Sequence, residues 1–239
     1  MRKPMKNKLL GVLGGVGPMA TVYFTDMIIR KTDAGCDQDH VPMLVYNHST
    51  IPDRTAYILD NTKENPLPVM IADAKMLESC GCDFIVIPCN TAHYFYDEIS
   101  DAVNIPVINI IKETVGHILK INPGTKKIGI MATEGTIATD TYKRECDARG
   151  VECVVPEDDD RAALMKIIYN QVKAGNPVDT IQFMSIIQNL KNKGCDFVIL
   201  GCTELSIINS DIKLKRSDVV DSLEILAEAA ILKCGKKLK

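Results

Sequence analysis

Two cysteines of the 239-residue chain share the same surroundings. Residues 81–91 read GCDFIVIPCNT and residues 194–204 read GCDFVILGCTE. Cys89 and Cys202 each close an aliphatic run, and each precedes a helix start rich in polar groups, Asn90-Thr91 or Thr203-Glu204. In open parallel sheets, ligands bind beyond the carboxyl ends of the strands, which is where both thiols fall. Backbone N–H groups and the dipole at a helix start favour a thiolate there. If the two boxes face each other across a pseudo-twofold axis, the thiols flank one small cleft. That is the geometry for two acid-base groups on opposite faces of one carbon. Cys36, Cys80, Cys82, Cys146, Cys153, Cys195 and Cys234 read instead as small core residues. Cys82 and Cys195 also recur as a pair, but they stand at the other end of their strands.

The elements that position these boxes recur as well. Residues 126–139 (KKIGIMATEGTIAT) resemble residues 8–21 (KLLGVLGGVGPMAT), with Gly11, Gly17, Ala20 and Thr21 matched by Gly129, Gly135, Ala138 and Thr139. Val107-Ile108-Asn109 is matched more weakly by Val219-Val220-Asp221. Three matches in the same order indicate a duplication. Candidate strands are Leu9–Leu13, Pro42–Tyr46, Phe84–Ile87, Val107–Ile108, Lys127–Met131, Glu152–Val155 and Phe197–Leu200, continuous apolar runs as buried parallel strands require. Helical patterns fall between them at about 18–31, 67–79, 92–101, 111–121, 140–149, 161–174 and 179–193, with a last helix at about 222–234. The alternation predicts an α/β fold with parallel sheets. It is divided into a first lobe of residues 1–110 and a second of 111–217, with the C-terminal helix of about 218–239 packing back on the first.

Composition narrows the function classes. Lys and Arg number 28 against 31 Asp and Glu, a net charge of −3, and aromatic residues make up 5% with no Trp. A nucleic-acid partner would want a basic excess and stacking rings. No apolar run approaches a membrane span. Arg2, Lys3, Lys6 and Lys8 before the run 9–16 mimic a signal peptide, but a segment echoed in mid-chain reads as a structural part. Nine cysteines are an odd set for a disulfide framework, so a reducing, cytoplasmic setting is expected. There is no CxxC pair, and Cys80, Cys82 and Cys89 lack a fourth ligand, so no metal site is expected.

The loop Gly14-Gly15-Val16-Gly17-Pro18-Met19-Ala20 satisfies a dinucleotide fingerprint, and a nicotinamide dehydrogenase is one alternative. Such a unit wants an acidic residue after the second strand, which here ends Tyr46-Asn47-His48-Ser49. A tight turn with Pro18 at the first helical position fits better, its free N–H groups suited to a carboxylate. The second loop, Ala132 to Thr136, offers hydroxyls in the mirror position.

The motifs LGGVGPMAT, HSTIPDRT, PCNTAH, ATEGT and GCTEL together resemble the aspartate/glutamate racemase superfamily, most of all its aspartate racemase branch. The resemblance covers nearly the whole chain. It implies two lobes with a cleft between them and racemisation of a small acidic amino acid without pyridoxal phosphate, metal or other cofactor, in a homodimer. Cys89 and Cys202 would be the paired acid and base, with Cys202 toward the L enantiomer and Cys89 toward the D enantiomer. Asn90, Thr91, Thr133, Thr136 and Thr203 would bind the substrate. Arg54 would hold its side-chain carboxylate, assisted by Lys166. His93 and His48 read as structural. The rival readings are a glutamate or broad acidic amino-acid racemase, a related dicarboxylate isomerase, and a two-lobed binding protein.

Overall fold

Apolar runs with no polar face need cover on both sides, and the chain supplies it with helices between strands. The structure, a computed structural model, describes residues 8–214 and 216–239; Arg2, Lys3 and Lys6 of the basic leader lie outside the described residues. The first half runs β1 (Leu10–Gly14), α1 (Pro18–Lys31), β2 (Met43–Asn47), α2 (Arg54–Leu59), α3 (Leu67–Ser79) and β3 (Phe84–Val86). A 3-10 segment, Thr91–Phe95, then leads into α4 (Tyr96–Asp101), β4 (Val107–Ile108) and α5 (Ile110–Ile121). The second half runs β5 (Lys127–Met131), α6 (Glu134–Ala138), α7 (Thr141–Ala148), β6 (Glu152–Val154) and α8 (Asp158–Lys166). A π-helical turn, Ile167–Val172, precedes α9 (Thr180–Asn192), β7 (Phe197–Leu200), α10 (Thr203–Ile212), β8 (Val219–Asp221) and α11 (Ser222–Lys233).

Two four-stranded parallel sheets result, ordered β2-β1-β3-β4 and β6-β5-β7-β8. The same order in each half matches the repeated sequence motifs. Asn109 caps α5 by accepting from the Ile111 and Lys112 N–H groups at 3.0 Å each, and Asp221 caps α11 through Leu223 and Glu224. One core cluster is shared: β1, β3, β5 and β7 residues such as Leu10, Phe84, Ile130 and Ile199 pack with α1, α5 and α11. The other face of each sheet has its own core, built on Met70 and Leu77 in one half and on Phe183 and Leu190 in the other.

Several elements differ from the sequence expectation. The short helices α2 and α6 and the full helix α10 lie outside the helical patterns read from the sequence. β8 is a strand of the second sheet, so within 218–239 only the helix and tail leave that sheet. α11 packs on α1 and α5, and the tail bonds back to the first half through Asp33 N–H to Lys237 C=O and Lys239 N–H to Lys31 C=O. β2 is not a buried strand; Tyr46 is 38% exposed, because an edge strand has only one neighbour.

Glycines set the closest approaches. A Cβ on Gly11 would lie 3.1 Å from Cys82 Sγ, and one on Gly129 3.2 Å from Cys195 Sγ. The second cysteine pair is therefore duplicated packing at the amino ends of the strands. A Cβ on Gly135 would lie 2.9 Å from Thr55, so this bare residue lets α6 of one lobe touch α2 of the other. Gly15 has φ +82°, and a Cβ there would stand 2.1 Å from the His48 backbone.

Gly15→Ala adds a left-handed backbone penalty to a steric overlap. It should cost on the order of 2–4 kcal/mol of stability, read as a lower urea midpoint with unchanged slope. A midpoint equal to wild type would show that the loop is not fixed as described.

Candidate active site

The carboxyl ends of β3 and β7 deliver the two boxes to one cleft, and both Cys89 and Cys202 line it. The cavity measures about 10 Å³, the room of a single water. It adjoins a vestibule of about 420 Å³ that shares Asp53, Arg54, Lys173 and Glu204. The space between the two thiols is thus smaller than any amino acid.

The two thiols are not equivalent. Cys89 precedes a 3-10 segment, and its N–H donates to Ile87 C=O at 2.8 Å. Cys202 is the N-cap residue of α10, yet its side chain makes no capping bond. Its Sγ–H donates instead to Glu204 Oε2 at 3.0 Å. Burial first, then the Glu204 charge and its acceptance of the S–H, push the Cys202 thiol well above its ordinary range. These effects favour the neutral thiol over the thiolate at Cys202.

Glu204 is 5% exposed, and the GCTEL box by itself marks it only as a polar residue at a helix start. Gly17, with φ +125°, makes room for it: a Cβ there would stand 3.0 Å from Glu204 Oε1. A carboxylate over the Gly-loop would repel a pyrophosphate, which argues against the dinucleotide alternative. Lys173 Nζ lies 3.8 Å from Glu204 and 3.9 Å from Asp53, 4.3 Å over the Tyr169 ring. Burial opposes the Lys173 charge, but Glu204, then Tyr169, Cys202 and Asp53, outweigh it and raise the ammonium above its ordinary value.

This lysine corrects the sequence expectation. Lys166 is exposed at the end of α8 and does not line the cleft; Lys173, seven positions on, does. The π turn explains the difference. Lys173 N–H bonds to Ile168 C=O, an i−5 spacing that reorients the end of the helix. A local pattern could offer only the Tyr169/Lys173 pair as a signal.

Arg54 lies where the sequence placed it, in the cleft wall, and is 6% exposed. Nη1 donates to Ile51 and Pro52 C=O at 3.3 and 3.1 Å, while the buried Nε has no partner. Among the described residues, no carboxylate forms an ion pair with it. An uncompensated buried guanidinium is costly, so the position is suited to an anionic partner.

The predicted threonines meet in a buried hydroxyl cluster. Thr91 Oγ1 lies 2.9 Å from Thr133 Oγ1 and 2.9 Å from Thr136 Oγ1. Thr55, not singled out from sequence, donates to Thr133 at 3.3 Å. Thr91, Thr133 and Thr203 line the cleft; Thr136 backs the cluster and faces another pocket. Asn90 is fixed by Tyr142, whose O–H donates to Oδ1 at 2.7 Å, and by Ser222, which accepts from Nδ2 at 3.0 Å. His93 accepts the Ile110 N–H at Nε2, so Nδ1–H donates to Cys89 C=O at 2.8 Å. Burial pushes the His93 pKa down to about 4, so it braces the Cys89 peptide as a neutral ring. His48 pairs with Asp73 at 2.8 Å, away from the thiols. Among the described residues no three His, Cys, Asp or Glu side chains converge as a metal site.

The family model described as Asp/Glu/Hydantoin racemase matches residues 13–230. A broad specificity amino-acid racemase, RacX, from Bacillus subtilis is 29% identical over 227 residues, 93% of this chain and 96% of its own length. The structure of Picrophilus torridus aspartate racemase is similar, with 33% identity, a TM-score of 0.81, and 97% and 96% of the two chains covered. An aspartate racemase homologue from Pyrococcus horikoshii OT3 has 27% identity and a TM-score of 0.75, with 96% and 100% covered.

The Cys202–Glu204 contact has a pH signature. A neighbouring carboxylate disfavours thiolate, so replacing it with an amide lowers the thiol's pKa. Alkylation of Cys202 followed by mass spectrometry should rise only at alkaline pH in the wild type, and at lower pH in Glu204→Gln. An unmoved midpoint would separate the two groups electrostatically.

Proposed function

The chain belongs to the Asp/Glu/hydantoin racemase family and is an isomerase, and from that premise we propose that it interconverts L- and D-aspartate by proton transfer between Cys89 and Cys202, without a cofactor. The observation that carries the substrate assignment is Arg54, a buried guanidinium with no acidic partner on the wall of a cleft lined by both thiols. A guanidinium takes a carboxylate as a planar fork, which fits the side chain of an acidic amino acid. Lys173 adds a second cation on the same wall. Asn90, Thr91, Thr133 and Thr203 offer donors to the α-groups.

In the reaction, the Cys89 thiolate takes the α-proton and becomes a thiol. The electron pair left on the α-carbon is stabilised by preorganised donors around the carboxylate. The Cys202 thiol then gives its proton to the opposite face and becomes a thiolate. The substrate is inverted, and the thiols have exchanged roles as a coupled pair. Glu204 favours the resting state with Cys202 protonated; Lys173 offsets the charge when Cys202 ionises.

A broader substrate range has support of its own. The vestibule beyond Arg54 is walled by Ile51, Val172 and Ile207 and leaves room for side chains longer than that of aspartate. A reducing, cytoplasmic setting and a homodimer belong to the same proposal; none of the nine cysteines is in a disulfide. Among the described residues no helix is long and apolar enough to cross a membrane.

Cys89→Ser and Cys202→Ser should each abolish racemisation, followed by chiral chromatography of L- and D-aspartate. In D₂O each single variant should retain slow α-proton exchange on one enantiomer, with opposite preferences, and the double variant none. Full racemisation by either single variant would end the two-thiol assignment.

Arg54→Ala should lower kcat/KM for aspartate by an amount equivalent to about 2–5 kcal/mol, the usual loss for a desolvated charge-assisted contact. Arg54→Lys should also be poor, because an ammonium cannot reproduce the fork. Wild-type kinetics in both variants would remove Arg54 from substrate binding.

A further inference from the structure

A second cleft, sharing no lining residue with the thiol cleft or its vestibule, opens between the two lobes and measures about 310 Å³. It is within the size range of small-ligand sites. Its walls come from the 3-10 segment and α4 after Cys89, the start of α5, and the start of α7. Lys112 and Arg144, both exposed, line it from α5 and α7, with Lys112 Nζ 5.7 Å over the Tyr96 ring on the same wall. Neither takes part in an ion pair among the described residues, although Lys143 and Arg149 beside Arg144 pair with Asp147 and Glu145. The Glu145 carboxylate in the cleft wall is already paired with Arg149, and Asp97 is the other acid on the wall. Thr141 Oγ1, also on the wall, is sealed from solvent without a hydrogen-bond partner. Orphaned buried hydroxyls are rare enough to want a partner.

The cleft is wired to the catalytic loop from both sides. His93 lines it and donates to Cys89 C=O, while its other nitrogen holds the first N–H of α5. On the opposite wall, α7 carries Tyr142, whose hydroxyl fixes Asn90. A ligand that clamps Lys112 to Arg144 draws together the two helices that brace Cys89 and Asn90.

We infer that this cleft binds a small polyanion, held by Lys112 and Arg144, and that its occupancy changes the rate of the reaction at Cys89 through His93 and Tyr142. Carboxylate and phosphate polyanions share the required chemistry, so citrate and pyrophosphate serve as probes. Isothermal titration calorimetry should show saturable binding of one or both to the wild-type protein and, undiminished, to Arg54→Ala. Arg144→Glu and Lys112→Glu should each weaken it by about tenfold or more. Saturating probe should change kcat of racemisation in the wild type and leave it unchanged in the double variant.

Binding heat does not depend on the racemase proposal, so the two can fail separately. Absence of saturable binding by both anions would overturn the site. So would loss of binding in Arg54→Ala, which would put the anion in the thiol cleft, or unaltered binding in both charge reversals. Dissociation of an oligomer by the reversals, seen in sedimentation, would make the cleft an interface between copies. Binding without any change in kcat would overturn the coupling through His93.

Discussion

The buried Glu204 carboxylate is the charge around which the cleft is arranged. Its contact with Cys202 Sγ keeps one thiol protonated, and a carboxylate buried there needs compensation. Gly17 lacks the side chain that would crowd it, and Lys173 stands within 3.8 Å to balance it. The π turn brings Lys173 there, and Tyr169 and Asp53 hold it in place. Removing Lys173 would leave the Glu204 carboxylate without its neighbouring cation.

The duplicated halves provide symmetry where the chemistry needs it and break it where it does not. Two sheets of the same order place a thiol at each inner strand end. The surroundings then diverge: a neutral imidazole braces the Cys89 peptide, while a carboxylate faces the Cys202 thiol. The proposed proton transfer needs one thiol in each protonation state. Identical environments would leave that distribution undecided; the divergence biases it.

The lobes meet through few but specific contacts. The threonine cluster ties α2 and the Cys89 loop to the start of α6, and Gly135 lets α2 and α6 touch. Tyr142 and Ser222 hold Asn90 from the other lobe. These contacts are short and polar, unlike the apolar cluster shared through α1, α5 and α11. The shared core keeps the halves together, and the polar contacts close over the thiols.

The sequence by itself determined the parallel α/β architecture, the repeated motifs and the place of both thiol boxes at strand ends, while the threonines and Arg54 stood out only through the resemblance to a known family. Continuous apolar runs, repeated motifs and helix-start chemistry are local signals, and each survives without knowledge of the partner half. Tertiary structure decided the rest. Lys166 and Lys173 look alike in a helical pattern, and only the π turn turns the second into the cleft. Glu204 reads as an ordinary first-turn acid until Gly17 of the other lobe is seen to cover it. The short α2 and α6 have too few residues to show a period, and they exist because each packs against the other. Cys202 and Glu204 are near neighbours in sequence, but their burial depends on what lies across the cleft. Gly17 against Glu204 and Asp53 beside Lys173 are pairs more than a hundred positions apart, and no short window along the chain contains both members.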